Sequence, residues 1–280
     1  MKKIHFTIAI LISFFFTERL IGQEWLSKLP FSKESLQKIK EQSFLVKEQK
    51  TQSVIIFKSK SQNLENAYRY LDINYTKKGD IEDSIFFNKN GTVKKRTAYH
   101  YNKKHLIVEK AIFKGKTLTK QFEYYYSKKN KIQEILFLDE NDELLNESTF
   151  FFYKNRDTKI TAKHLDFNKN LIHYYTIYKQ KDGKTDSIYK YDQLNNIQHR
   201  VYFDIKDNKE SIITIDQYKT QKQIIEHNTQ GKITKEDFFI DSKLQYSKKY
   251  FYNPNGEISY IKQENTNNEI LYYLFYYQYF

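Results

Sequence analysis

The sequence predicts an all-β fold: a long antiparallel meander of repeated β-hairpins, about 12–13 residues per strand-turn unit, in a twisted or curled sheet behind a short N-terminal helix. Three observations carry that reading. One turn skeleton recurs along most of the chain, its copies keep a common spacing, and the residue before the turn is aromatic in most of them.

The skeleton is a short polar residue, two variable ones, a residue tolerant of left-handed backbone, one more, then an aliphatic. It is cleanest in Tyr250–Ser259 (YFYNPNGEIS), where Asn253 opens a type I turn, Pro254 presets φ and Gly256 takes the left-handed place that follows. That is the type I turn closed by a bulge, a common hairpin connection. Copies open at Thr76, Asn88, Asn102, Ser127, Asp139, Asp192, Asn228, Asn253 and Asn265. The fourth places are Gly79, Gly91, His105, Asn130, Asp142, Asn195, Gly231, Gly256 and Asn268. Gly, Asn and Asp dominate there because they accept φ > 0 most cheaply. Gly79, Gly91, Asn130, Asn195, Gly231, Asn253 and Gly256 are therefore expected to be structural turn residues.

Consecutive first positions differ by 12, 14, 25, 12, 53, 36, 25 and 12 residues, all near multiples of one unit. Weaker turns at Gly115, Asn155–Asp157, Asn168–Asn170, Gly183, Asp207–Asn208, Thr220–Lys222 and Asp241–Lys243 fill the gaps. About eight residues remain per strand, and fixed-period self-similarity marks a repeat architecture. About sixteen strands at ~4.8 Å would make a ribbon roughly 75 Å wide, so the sheet is expected to curl around one inner aromatic face. The residues before the turn, Tyr75, Phe87, Tyr101, Tyr126, Tyr191 and Tyr252, should pair with Ile81, Val93, Ile107, Ile132, Ile197 and Ile258. Tyr99, Tyr124, Tyr189 and Tyr250, two residues earlier, extend the ladder on the same face.

Three segments follow. Residues 1–22 combine Lys2 and Lys3 with the apolar run Phe6–Phe16 and a small residue, Gly22, which predicts a secretory signal peptide. The run is short for a spanning helix, and no later run is apolar enough for one. Residues 23–50 form a leader in which Ser32 caps a helix over Lys33–Gln42. Residues 51–280 are the hairpin-repeat domain, beginning with the strand signal Val54–Lys58. The chain has no cysteine, so neither disulfides nor a lipidated cysteine are available. An exported chain is expected, in the periplasm, at the outer membrane or outside the cell.

The net charge is +13, and losing Lys2, Lys3, Glu18 and Arg19 with the signal peptide lowers it by two. Only Arg19, Arg69, Arg96, Arg156 and Arg200 are arginine among the 47 basic residues. Arginine is the residue that reads phosphates and base edges bidentately, so nucleic acid is not the expected partner. Polyanion binding through the pairs Lys103–Lys104, Lys128–Lys129 and Lys248–Lys249 remains an expectation, beside the reading that these lysines are simply solvated.

No catalytic constellation stands out. His100, His105, His164, His173, His199 and His227 lack metal-ligand spacing, and Asp139–Glu143 lacks the glycine and distal glutamate of a calcium loop. There is no nucleophile elbow, phosphate loop or dinucleotide fingerprint. The expectation is a non-enzyme with no cofactor and no metal.

The copies Tyr189-Lys190-Tyr191-Asp192 through Ile197 and Tyr250-Phe251-Tyr252-Asn253 through Ile258 resemble the YD repeat of RHS-type proteins, Tyr-x-Tyr-Asp-x-x-Gly-Asn/Arg-aliphatic. MORN-like repeats of YwqK-type proteins are a more distant likeness. The resemblance spans roughly residues 70–270; Asn often replaces the Asp, and Asn or Asp the Gly. It implies stacked hairpins, at times a wall around a cargo domain, at cell surfaces. The reading that follows is an exported scaffold or binding protein of the envelope whose tyrosine faces suit a glycan or an envelope protein. The alternative is an outer-membrane β-barrel, against which Lys235 and Asp237 on one face and Glu236 on the other are the main objection.

Overall fold

In the computed structural model, residues 46–280 are described apart from 139–143, 155–157, 167, 181–184 and 207. The signal segment, the helix expected over 33–42, the acidic stretch 139–143 and the turns at 155–157 and 183 lie outside the described residues. A helical turn over 46–48 leads into the first strand.

Eighteen strands follow: β1 (Thr51–Ser59), β2 (Tyr68–Tyr75), β3 (Ile81–Phe87), β4 (Val93–Tyr101), β5 (Ile107–Lys114) and β6 (Thr117–Tyr126). Next come β7 (Ile132–Leu138), β8 (Leu144–Lys154), β9 (Lys159–Leu165), β10 (Leu171–Lys179), β11 (Thr185–Asp192) and β12 (Ile197–Lys206). The last six are β13 (Lys209–Asp216), β14 (Thr220–His227), β15 (Ile233–Ile240), β16 (Lys243–Tyr252), β17 (Ile258–Asn265) and β18 (Ile270–Tyr279). Each pairs antiparallel with its neighbours in sequence, and β1 pairs with β18, so the meander closes into a barrel. Closure removes both sheet edges. At the seam Phe280 N–H donates to the Lys50 carbonyl at 2.7 Å, and the Ser53 hydroxyl donates to Gln278 at 2.7 Å.

The turn chemistry explains the register. Gly79 N–H donates to the Thr76 carbonyl and Thr76 N–H to the Asp80 carbonyl, both at 2.8 Å, and the same pair recurs at Asn253, Gly256 and Glu257. The polar opener also caps the loop: Asn228 Oδ1 accepts from Gln230 and Lys232 N–H, both at 3.0 Å. Fourth-place residues sit at positive φ: Gly79 85°, Gly91 83°, His105 59°, Asn130 59°, Asn195 67°, Gly231 79°, Gly256 92° and Asn268 61°. The turn expected at Asn168–Asn170 forms as a further copy, opened by Asp166, with Lys169 at φ 63° in the left-handed place. All six expected pairs form, from Tyr75 with Ile81 to Tyr252 with Ile258.

Three expectations are corrected. There are eighteen strands, since β1 and β2 precede the first clear copy. Thr220–Lys222 is not a turn but the start of β14; the chain reverses at Gln217–Tyr218, where the Asp216 side chain accepts from Tyr218 and Lys219 N–H. The tyrosines do not all face one way.

That last correction follows from geometry. A hairpin built on one turn type is chiral, so its two faces are not equivalent. In an up-and-down meander, successive turns lie at opposite rims, and the chain enters them from opposite sides. Identical turns at the two rims must therefore present opposite faces to the interior. At the near rim, β2–β3, β4–β5, β6–β7, β14–β15 and β16–β17 turn their aliphatic sixth residue inward: Ile132 is 4% exposed, Ile233 1% and Ile258 1%. At the far rim, where β3–β4 and β11–β12 turn, the equivalent Val93 and Ile197 are 37% and 36% exposed. The repeating unit is thus a pair of strands, about 25 residues.

Near-rim tyrosines stitch consecutive units together. Tyr126 Oη donates to the Ile107 carbonyl at 2.7 Å, Tyr252 to Ile233 at 2.8 Å and Tyr277 to Ile258 at 3.1 Å, each nineteen residues back. The inner face carries two apolar clusters. One joins Val54, Ile56, Leu71, Ile73, Ile233, Ile258 and Ile261; the other joins Phe122, Ile135, Phe137, Ala162, Ile177, Ile188 and Val201. Ile56, Leu71, Ala162, Val201 and Ile261 are 0% exposed, so at these positions the barrel encloses packed side chains rather than water.

Gly91 isolates the turn's backbone demand, because nothing lies within 4 Å of a Cβ added there. Gly91→Ala should destabilise the barrel by roughly 1–2 kcal/mol in urea unfolding, and Gly91→Asn by less. A neutral Gly91→Ala would contradict the left-handed assignment.

Candidate functional site

The far-rim phase puts Tyr189 and Tyr191 on the outer wall, where the cross-strand register brings Tyr174 opposite Tyr191 and Tyr178 opposite Ser187. β12 adds Tyr202 opposite Ser187 and Arg200 opposite Tyr189. Alternation along each strand makes these tyrosines one continuous patch. Tyr174 and Tyr191 stack with centroids 4.7 Å apart and planes 9° from parallel. Tyr189 meets Tyr178 and Tyr202 edge-on at 5.7 and 5.9 Å. Lys159 Nζ sits 5.5 Å from the Tyr178 ring centre.

A groove of about 570 Å³ runs along this patch, lined by Tyr178, Lys179, Gln180, Asp186, Ser187, Tyr189 and Tyr191. Two of its phenols, Tyr189 and Tyr191, are raised above the usual phenol value. The hydrogen bond with Tyr202 and then partial burial push Tyr189 up, while burial and the neighbouring Tyr178 and Tyr174 push Tyr191 up. At the far-rim tip Tyr174 Oη donates to Asn195 Oδ1 at 2.9 Å. The surface offers flat ring faces beside hydroxyl, amide, ammonium and carboxylate groups, which suits stacking and hydrogen bonding. Among the described residues no three His, Asp or Glu side chains gather as a metal site.

A second polar cluster is internal. Glu236 and Lys248 oppose each other on β15 and β16, 0% and 2% exposed in their side chains, with Lys248 Nζ 2.9 Å from Glu236 Oε1. Tyr250 Oη donates to Glu236 Oε2 at 2.8 Å, and Lys248 Nζ lies 4.7 Å from the Tyr246 ring centre. Burial, then the Glu236 charge, push Tyr250 well above the usual phenol value. Lys235 and Asp237 sit on the outer face, 2.6 Å apart. The pair Lys248–Lys249 therefore offers no basic turn: it lies within β16, with Lys248 buried and Lys249 exposed.

The histidines separate. His105 Nδ1 lies 2.6 Å from Asp80 Oδ2 and His100 Nδ1 3.0 Å from Glu109, both across neighbouring segments. His164 and His173 stack at 4.5 Å on the inner face, and the Thr149 hydroxyl lies 2.9 Å from His164 Nδ1. Burial, then Lys190, lower His199, against the pull of Asp216. The turn residues Gly79, Gly91, Asn130, Gly231, Asn253 and Gly256 lie on the rims, away from the groove. Tyr174 and Tyr178 were not singled out from the sequence because β10 has no clear turn copy, and Tyr202 was not because it lies five residues past the end of its copy, outside the aromatic positions before the turn.

No protein-family model matches the chain, and no curated protein does either. Among solved structures, a porin-like protein from Bacteroides uniformis is similar at 9% identity and a TM-score of 0.41, over 82% of this chain and 97% of that one. A TcdB2-TccC3 structure is similar at 7% identity and a TM-score of 0.32, over 72% of this chain but 15% of that one. The Tc holotoxin pore of Photorhabdus luminescens gives 9% identity and a TM-score of 0.23, over 77% and 14% respectively. The chain thus spans about one seventh of the two toxin chains. No activity carries over from likenesses this slight.

Glu236→Gln removes the carboxylate that the buried Lys248 ammonium faces at 2.9 Å, and should cost about 3–5 kcal/mol in chemical unfolding. The double change Glu236→Gln with Lys248→Met should recover much of that loss. If Glu236→Gln were neutral, the buried pairing would be wrong.

Proposed function

We propose that the chain is an exported, water-facing β-barrel that acts as a non-enzymatic scaffold of the cell envelope, offering the tyrosine groove on β10–β12 to a glycan or protein partner. The observation that carries this reading is the outer wall's charge. Arg96 Nη2 lies 2.8 Å from Asp83 Oδ2, Arg69 pairs with Asp72, Lys209 lies 2.8 Å from Glu226, and Lys235 is bonded to Asp237. Arg200, Lys163 and Lys249 point outward as well, all exposed. A lipid-facing Arg or Lys at mid-membrane costs about 2–4 kcal/mol, and the Arg and Lys residues named here stand on seven of the eighteen strands. The apolar side chains instead fill the inside, the reverse of a water-filled porin.

A second reading, a barrel spanning the outer membrane, is favoured by the closed, even-numbered antiparallel circuit with no free edge. Several strands reach spanning length, with eleven residues in β8 and ten in β6, β12, β16 and β18. Purification separates the two. The exported protein should run as a soluble, folded species in detergent-free buffer, and should lose binding on a glycan array or in envelope pull-downs when Tyr191 is changed to Ala. Recovery only in detergent would put the spanning barrel first, and an array and pull-downs without a ligand would remove the binding role.

A further inference from the structure

Repeats at one rim share more than their backbone. In three successive near-rim turns, β2–β3, β4–β5 and β6–β7, both variable places are lysine: Lys77–Lys78, Lys103–Lys104 and Lys128–Lys129. All six are exposed. The turns are 25–26 residues apart in sequence, but they are neighbours in space, because same-rim hairpins are offset by two strands, roughly 10 Å. They also touch. Lys104 Nζ donates to Asn130 Oδ1 in the next turn at 3.1 Å, and His105 reaches back to Asp80 at 2.6 Å. Asp80, 4% exposed, is the acid within these turns and is occupied by His105; exposed Glu82 follows on β3, and Glu109 faces His100 on the wall. Across the rim, the matching places of β14–β15 and β16–β17 are Thr229–Gln230 and Pro254–Asn255, without charge. Among the described tight turns of this rim, paired lysines thus fall on one arc, about 20 Å long, while single exposed lysines such as Lys206 and Lys209 stand elsewhere on it.

We propose that this arc docks the barrel end-on against an anionic membrane surface, its ammonium groups meeting lipid phosphates. Lysine is a hydrated point charge without the fixed fork of arginine, so it suits many dispersed phosphates rather than one bidentate partner. The doublets stand as separate tips along a rim, a spacing that suits dispersed phosphates on a plane. A rim perpendicular to the barrel axis meets a plane with all three tips together. Polybasic clusters bind anionic bilayers through summed attractions of this kind, which fade within a Debye length.

The proposal rests on the water-facing reading, and co-sedimentation with vesicles tests the two separately. The purified protein should pellet with phosphatidylcholine vesicles containing phosphatidylglycerol, but not with phosphatidylcholine alone. Salt near 1 M, where the Debye length is ~3 Å, should release it. Changing all six arc lysines to Gln should weaken binding at least ~30-fold. Changing six exposed lysines near the far rim, Lys60, Lys89, Lys94, Lys114, Lys116 and Lys243, removes the same charge and should weaken it less than ~3-fold. Equal losses in the two variants would reduce the effect to net charge and overturn the arc. Tighter capture by soluble polygalacturonate than by vesicles would overturn the membrane as partner. Retention by vesicles in high salt would show insertion and overturn the water-facing reading itself.

Discussion

The left-handed residue in each tight turn is the constraint on which the barrel depends. It fixes the turn type, the turn type fixes which residues pair across the hairpin, and pairing fixes which face each side chain takes. Because the turn is chiral and the meander alternates rims, one local rule yields two surfaces. Near-rim copies bury their aliphatic and tyrosine positions and are tied to the preceding unit by phenol-to-carbonyl bonds. Far-rim copies send the same positions outward, where Tyr189 and Tyr191 become a surface patch. The groove is a product of repetition as much as of divergence.

Inside and outside obey different energetics. Apolar side chains on the inner face gain about 25 cal/mol per Å² removed from water, and they form two clusters along contiguous arcs. The buried Glu236–Lys248 pair is costly to desolvate, and its extra partner Tyr250 and its contact with the Tyr246 ring offset part of that cost. Outside, ion pairs such as Arg96–Asp83 contribute little to stability individually. In the proposed water-facing barrel their weight is in the choice of solvent, because a charged wall is costly to place in lipid.

Much of the fold was legible in the sequence. The eight turn copies within the described residues, their spacing and the six aromatic-to-aliphatic pairs could be read directly, because φ > 0 narrows the residue choice so sharply. Closure could not be read, since it depends on β1 meeting β18 across more than 200 residues. The turn at Asn168–Asn170 was legible, but its left-handed residue, Lys169, was not, because lysine rarely takes a left-handed backbone. The face assignment of Tyr189 and Tyr191 failed for a different reason: similarity between copies was taken to mean the same orientation, whereas alternation of rims reverses it. The groove was missed with it, and Lys103–Lys104 and Lys128–Lys129 were read as separate pairs, without Lys77–Lys78 and the rim that collects all three.

The central claim is that sequence-equivalent positions at the two rims face opposite sides. Because the chain has no cysteine, single replacements report on accessibility cleanly. Ile197→Cys and Ile258→Cys occupy the same place in two well-formed copies, 36% and 1% exposed as isoleucine. Labelling of the folded protein with a water-soluble maleimide should be fast at position 197 and strongly protected at position 258. Equal rates at the two sites would contradict the account.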